Sequence, residues 1–219
     1  SQRTSRRGKP IFISGADVTE RKDWNEQQVR SHVRWQRNTL NRLKRCPVFH
    51  VGVVDGIALG WGMEFLLTCD YRIATARSTF GLPETGLGIL PGAGGTSDLW
   101  AEIGVPQALR LGMAGERIDG REAQRIGLVQ EAVEEWQDGM ERAAQLAELV
   151  KTRSPTAAAA YKLAMLSAIG RGPNLRQGLE ARAYEHCVHT GEAAIGRANF
   201  KKIIAGEEVE WGDFEPFQP

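Results

Sequence analysis

The sequence predicts an α/β fold, and three observations carry that expectation. Short apolar and β-branched runs at residues 11–13, 48–54 and 71–74 read as strands. Helix-patterned segments separate them, which is the alternation of an α/β core. Everything beyond Pro155 reads as helix, so the chain divides into a core at 1–154 and a helical region at 155–219. A length of 219 residues suits one domain with such an appendage and can bury a substantial core.

The elements follow in order. Residues 1–9 are a basic arm or loop, without the apolar run that a signal peptide needs. Residues 11–13 form a short buried strand running into Ser14, Gly15, Ala16 and Asp17, and Asp17 or Thr19 caps a short helix. Residues 24–45 make a long amphipathic helix with Val29, Val33, Trp35, Leu40 and Leu43 as buried positions, stopped ahead of Pro47. The strand at 48–54 contains His50, read as a strand residue rather than a catalytic base. Gly60, Trp61 and Gly62 turn the chain into an apolar helix at 63–69. Strands at 71–74 and 79–80 precede a glycine loop at 92–95, after which Thr96 caps the next helix. Helices follow at 106–113, 120–125 and 134–152, then at 156–168, 175–190 and 193–205.

Composition excludes several function classes. A net charge of +1 gives no bulk attraction to nucleic acid or to an anionic membrane. No apolar run reaches membrane-spanning length. Cys46, Cys69 and Cys187 are far apart and odd in number, which indicates neither a disulfide framework nor a zinc site, and mildly favours a reducing, intracellular setting.

The chemistry-bearing residues lie in glycine-rich contexts. The turns at Ser14–Asp17 and Gly60–Gly62 each follow an apolar strand. Free N–H groups at such turns carry partial positive charge, and two of them aimed at one point make an oxyanion hole. On the pattern alone, these glycines are equally those of tight turns. Glu64 lies inside an apolar segment, where a carboxylate is costly without a task or partner, and Glu84 follows Pro83 in a glycine-rich loop. Two carboxylates beside two anion-binding turns suit acid and base work on a carbonyl whose oxygen becomes negative.

At these residues the chain resembles the crotonase (enoyl-CoA hydratase/isomerase) superfamily. Phe12 to Asp17 is similar to its first oxyanion segment and Gly56 to Glu64 to its second. Phe80 to Glu84 and Leu90 to Thr96 resemble the segment bearing the second glutamate, and Gly115 to Val129 its later helix pair. The resemblance implies a ββα-spiral core with a C-terminal helical trimerisation region. It also implies that opening strands of the sheet, usually found before the first oxyanion segment, are missing here and leave an edge unpaired.

The implied substrates are acyl-CoA thioesters. The backbone N–H groups of Ala16 and Trp61 would hold the thioester oxygen, with Ser14, Gly15, Asp17, Gly60, Gly62 and Gly92 binding substrate around them. Glu64 would activate water for attack at C3, and Glu84 would handle the proton at C2. Two retained glutamates favour an acyl-CoA hydratase or dehydratase over the family's isomerases, C–C bond hydrolases and ring-directed lyases. Trp61 stands where the family commonly has glycine, which would reshape the acyl pocket. Some relatives bind RNA, and the helix at 24–45 with its approach is rich in base: Arg21, Lys22, Arg30, Arg34, Arg37, Arg42, Lys44 and Arg45. The near-neutral net charge and the lack of an aromatic-interleaved basic motif oppose that reading. Arg3, Arg6, Arg7 and Lys9 are either a solvated charge run or an approach to CoA phosphates. A homotrimer or dimer of trimers is implied, with no metal or redox cofactor and coenzyme A present as part of the substrate. The expected location is cytoplasmic, or the mitochondrial matrix in a eukaryote.

Overall fold

Two sheets, one mixed and one parallel, organise the computed structural model, which describes residues 10–17 and 19–219. The first sheet contains β1 (Ile11–Ile13), β3 (Ile57–Leu59), β5 (Thr79–Gly81) and β6 (Ile118–Asp119), in the order β1-β3-β5-β6. Its first three strands are parallel and β6 runs antiparallel to β5. The second sheet, all parallel, is β2 (Val51–Val54), β4 (Tyr71–Thr75) and β7 (Glu131–Val133) in the order β2-β4-β7. Parallel strands are covered on both faces, so their residues are apolar almost without alternation. Val54, Ala58, Ile73, Ala74 and Phe80 are accordingly all fully buried.

The strands are joined by α1 (Glu26–Lys44), α2 (Trp61–Leu66), α3 (Leu99–Ile103), α4 (Val105–Gly112) and α5 (Gly120–Arg125). Met63 and Leu66 of α2, Leu99 of α3 and Leu111 of α4 close one core with Phe80 and Leu82. The turn from β2 to β3 is fixed by charge. Buried Asp55 accepts from Thr75 Oγ1 and from Arg77 Nε, both at 2.9 Å, and the Ser78 hydroxyl bridges Thr75 to the Val54 carbonyl. Arg72, only 3% exposed, is matched on every side by the Leu128 and Cys69 carbonyls and by Glu102. A buried cation needs such complete pairing.

The chain forms two compact units: the described residues of 1–44 with 50–143, and residues 45–49 with 144–219. α6 (Trp136–Lys151) leads from one to the other. In the second unit α7 (Pro155–Ala168) starts from a Ser154 cap whose hydroxyl accepts from Ala157 N–H, with Pro155 at the first helical position. It pairs with α8 (Pro173–His189), followed by α9 (Glu192–Ala198) and α10 (Phe200–Ile204). The C-terminal tail lies along them. Trp211 Nε1 donates to Thr152 O, Gly212 N–H to Glu192, and Glu215 N–H to Thr156 Oγ1, while Phe217 is buried among Ala160, Ala164 and Ala183. Among the described residues, no helix is long and apolar enough to cross a membrane.

Several sequence expectations are corrected. The strand expected at 48–54 begins at Val51; Val48 and Phe49 are exposed, and the Val48 carbonyl accepts from Lys162 Nζ at 2.7 Å. Among the described residues no short helix lies between Asp17 and α1; the Asp17 carboxylate instead accepts from the Thr19 N–H and hydroxyl. Strand β1 is half-buried rather than buried. The 63–69 helix is displaced to Trp61–Leu66 because it starts directly at the Gly60 turn. Thr96 does not cap α3; its hydroxyl closes onto the Pro91 carbonyl, and Asp98 precedes the helix. The single helix expected at 193–205 breaks at Asn199, whose side chain bonds back to Ile195 O. The basic arm at 1–9 lies outside the described residues.

Candidate active site

The site grows from the parallel pairing of β1, β3 and β5. Parallel neighbours end on the same side, and in open α/β sheets ligands bind beyond those carboxyl ends. The segment 14–17 leaves β1 there, α2 starts there after β3, and a 3-10 turn at Glu84–Leu87 follows β5. Three separated stretches of sequence thereby meet at one edge.

Two glycines let them come close. A Cβ on Gly62 would lie 2.1 Å from the Ile13 carbonyl oxygen, so only glycine permits this packing of α2 on β1. Gly60 has φ 55°, a conformation that disfavours a side chain, and a Cβ there would lie 2.7 Å from Glu84 Oε1 and 3.9 Å from Gly15 Cα. The bare backbone of Gly60 thus leaves room for the Glu84 carboxylate on one side and the Gly15 backbone on the other. The chain then enters α2, where the Met63 and Glu64 N–H groups both turn back to the Gly60 carbonyl. The Trp61 N–H opens this helix and so lacks an intrahelical acceptor. Neither it nor the Ala16 N–H donates to any backbone carbonyl among the described residues.

The two carboxylates differ. Glu64 is 4% exposed, and its Oε1 accepts the Ala93 N–H at 2.7 Å and the Gly95 N–H at 3.0 Å. Burial pushes its carboxyl above the usual range, against the opposing pull of those two N–H groups and of the Arg37 charge. Glu84 is half-buried and its Oε2 has no hydrogen-bond partner among the described residues. Burial raises its carboxyl too, and the nearby Glu64 charge raises it further. A carboxyl with a raised pKa is better able to hold and return a proton near neutral pH.

The other expected site residues are distributed around this pair. Ser14 and Asp17 are exposed, and the Asp17 carboxyl is lowered by the Thr19 hydroxyl and N–H it accepts. Gly92 turns its carbonyl to Arg37 Nε at 2.8 Å. The Trp61 ring lies 5.8 Å from that of Phe65, which lies 6.2 Å from Phe12, an aromatic wall beside the turn. His50 precedes β2 and pairs its backbone with Asp70 and Tyr71. In the basic helix, Arg30 faces Glu26, Lys44 binds Asp98, and Arg37 serves the glycine loop, so these charges have partners within the protein. Reading the sequence missed the Ala93 and Gly95 donors and the Arg37 contact; the glycine run at 92–95 was the available signal for the donors.

Comparison with known proteins accords with this geometry. A sequence model described as Enoyl-CoA hydratase/isomerase matches residues 4–203. The human mitochondrial enoyl-CoA hydratase domain-containing protein 2 is 35% identical over 201 residues, covering 89% of this chain and 68% of that protein. Mouse mitochondrial methylglutaconyl-CoA hydratase is 34% identical over 196 residues, covering 88% of this chain and 62% of that protein. The crystal structure of an enoyl-CoA hydratase from Bacillus anthracis superposes with a TM-score of 0.85 at 36% identity, over 93% of this chain and 78% of that one.

Proposed function

The chain belongs to the enoyl-CoA hydratase/isomerase family, whose enzymes act on CoA thioesters, and from that premise we propose that it adds water across the C2=C3 bond of an enoyl-CoA. The observation that carries this reading is the pair of raised carboxylates, Glu64 and Glu84, at the edge where the Ala16 and Trp61 N–H groups also end, neither of which donates to a backbone carbonyl among the described residues.

The thioester oxygen lies between the N–H groups of Ala16 and Trp61. Those dipoles stabilise the negative charge that gathers on it as the enolate forms. Glu64, fixed by Ala93 and Gly95, takes a proton from water as the oxygen bonds to C3. Glu84, protonated at the start, gives its proton to C2 as the enolate collapses. The pair returns to its first state when one proton passes from Glu64 to Glu84 through solvent. The Glu64 charge raises the Glu84 carboxyl, which favours the proton on Glu84 that this cycle needs at its start. Dehydration is the same path reversed.

Trp61, with Phe12 and Phe65, borders the acyl end and sets its shape. The reaction uses no metal or redox cofactor; coenzyme A enters as part of the substrate. A homotrimer or dimer of trimers is the assembly we expect, supported by the exposure of Tyr161, Met165 and Tyr184 along the apolar α7–α8 groove. Cytoplasm, or the mitochondrial matrix of a eukaryote, suits such a substrate.

The test is loss of the conjugated enoyl-thioester absorbance over a panel of 2-enoyl-CoA substrates. Turnover supports hydration. Folded protein that leaves every 2-enoyl-CoA unchanged but migrates the double bond of a 3-enoyl-CoA would make it an isomerase.

A further inference from the structure

Arg37 is an exposed residue of α1, far in sequence from both carboxylates, yet its Nε donates to the Gly92 carbonyl at 2.8 Å. That carbonyl belongs to the same peptide group as the Ala93 N–H, which donates to Glu64 Oε1 at 2.7 Å. One planar amide therefore carries a cation on its oxygen and the carboxylate on its hydrogen. In a trans peptide the two groups point in opposite directions, so the cation and the anion sit at opposite ends of the amide dipole. Each polarises the amide in the sense that strengthens the other bond.

A second contact supports the same connection. A Cβ on Gly92 would lie 2.9 Å from Val33 Cγ1, so α1 packs directly on the loop. Val33 and Arg37 are four apart and share one face of the helix. That face seats the loop with Val33 and orients its peptide with Arg37.

We propose that Arg37 is a positioning residue for Glu64, acting through the single peptide group that joins Gly92 to Ala93. The proposal rests on Glu64 acting as the base. The charged groups facing Glu64 are Arg37 from α1 and Glu84 from the 3-10 turn; the loop at 91–96 has no titratable side chain. Arginine suits the task because its Nε–H lies in a rigid plane, whereas a lysine ammonium is a rotating point charge. The Arg37 charge also draws the Glu64 carboxyl down against the burial that raises it.

The experiment follows carboxyl carbon signals in protein labelled with carboxyl-13C glutamate through a pH titration. Glu64 is assigned from the signal absent in Glu64→Gln. In Arg37→Gln the Glu64 midpoint is expected to rise by about one pH unit. Arg37→Lys, which keeps the charge but not the planar donor, falls between the two. Arg30→Gln, which removes a charge from the same helix away from the loop, leaves the midpoint in place. The acid limb of kcat against pH is expected to move with the midpoint in Arg37→Gln, while KM changes by less than about twofold. A Glu64 midpoint unmoved in Arg37→Gln overturns the proposal, and so does an equal movement in Arg30→Gln. The titration needs no turnover. Absence of activity on every enoyl-CoA therefore counts against hydration alone, and the midpoint still decides the role of Arg37.

Discussion

Glu64 and Glu84 reach the same edge of the sheet from loops built in opposite ways. The Glu64 oxygen is held by two backbone N–H groups from the 92–95 loop, which α1 clamps in turn. Glu84 rises from a 3-10 turn against the bare backbone of Gly60, and one of its oxygens has no partner among the described residues. Both carboxyls are pushed up by burial; two N–H groups of a distant loop oppose the push at Glu64, and at Glu84 its own backbone N–H does. The difference separates two requirements of acid–base chemistry. A base that must aim a water needs a fixed direction. A group that exchanges a proton with carbon needs an oxygen that no other hydrogen bond holds.

The largest effect expected is on turnover. Glu64→Gln and Glu84→Gln should each lower kcat by about 10²–10⁴-fold, with the double variant far less than the product of the two. Losses that multiply would mean that the carboxylates act independently, and steady-state rates across the four proteins decide it.

Backbone changes separate the two corners next. A Cβ on Gly60 meets Glu84 Oε1, whereas one on Gly95 meets the Pro91 side chain at 2.5 Å and Glu64 Oε1 at 3.3 Å. Gly60→Ala should displace Glu84, and Gly95→Ala should displace Glu64, each costing roughly 100-fold in kcat. Crystal structures of the two variants would show which carboxylate moved, and movement of both in either one would join the corners into a single unit.

A smaller effect concerns stability. Each carboxyl binds its proton more tightly in the folded state than in the unfolded chain. The stability this contributes is complete below the usual glutamate range and is lost as pH rises through the raised values. Above that window Glu64→Gln and Glu84→Gln should therefore melt higher than the parent, by about 2–4 °C for each kcal/mol recovered. The gain should shrink as the pH is lowered through it. Melting curves at several pH values test the sign. Trp211→Phe, which breaks one bond of the C-terminal tail to Thr152, should cost only about 1 kcal/mol and leave kcat unchanged.

The two corners also differ in how they could be read from sequence. Each glutamate lies in a short local motif with its own glycines, so both were legible, as were the turns at 14–17 and 60–62. The donors to Glu64 lie 29 and 31 residues further along the chain, and no local pattern links them to it. The same holds for the fold. The helix at 120–125 was read with its observed bounds because Asp119 caps it within four residues, accepting the Glu122 N–H. Strands β3, β6 and β7 were missed: each has three residues or fewer, and strands so short are defined by the neighbour they pair with. Val48 and Phe49 have strand-like side chains, yet they belong to the helical unit, where Val48 bonds Lys162.

The division of labour proposed for the two carboxylates can be measured without hydration. A saturated acyl-CoA in D2O offers only its C2 protons, and exchange there needs the oxyanion site and one base. If Glu84 handles that proton, Glu64→Gln should keep exchange within about tenfold of the parent, while Glu84→Gln should lose at least about 100-fold. Exchange that survives in Glu84→Gln and disappears in Glu64→Gln would contradict the assignment and reverse the two roles.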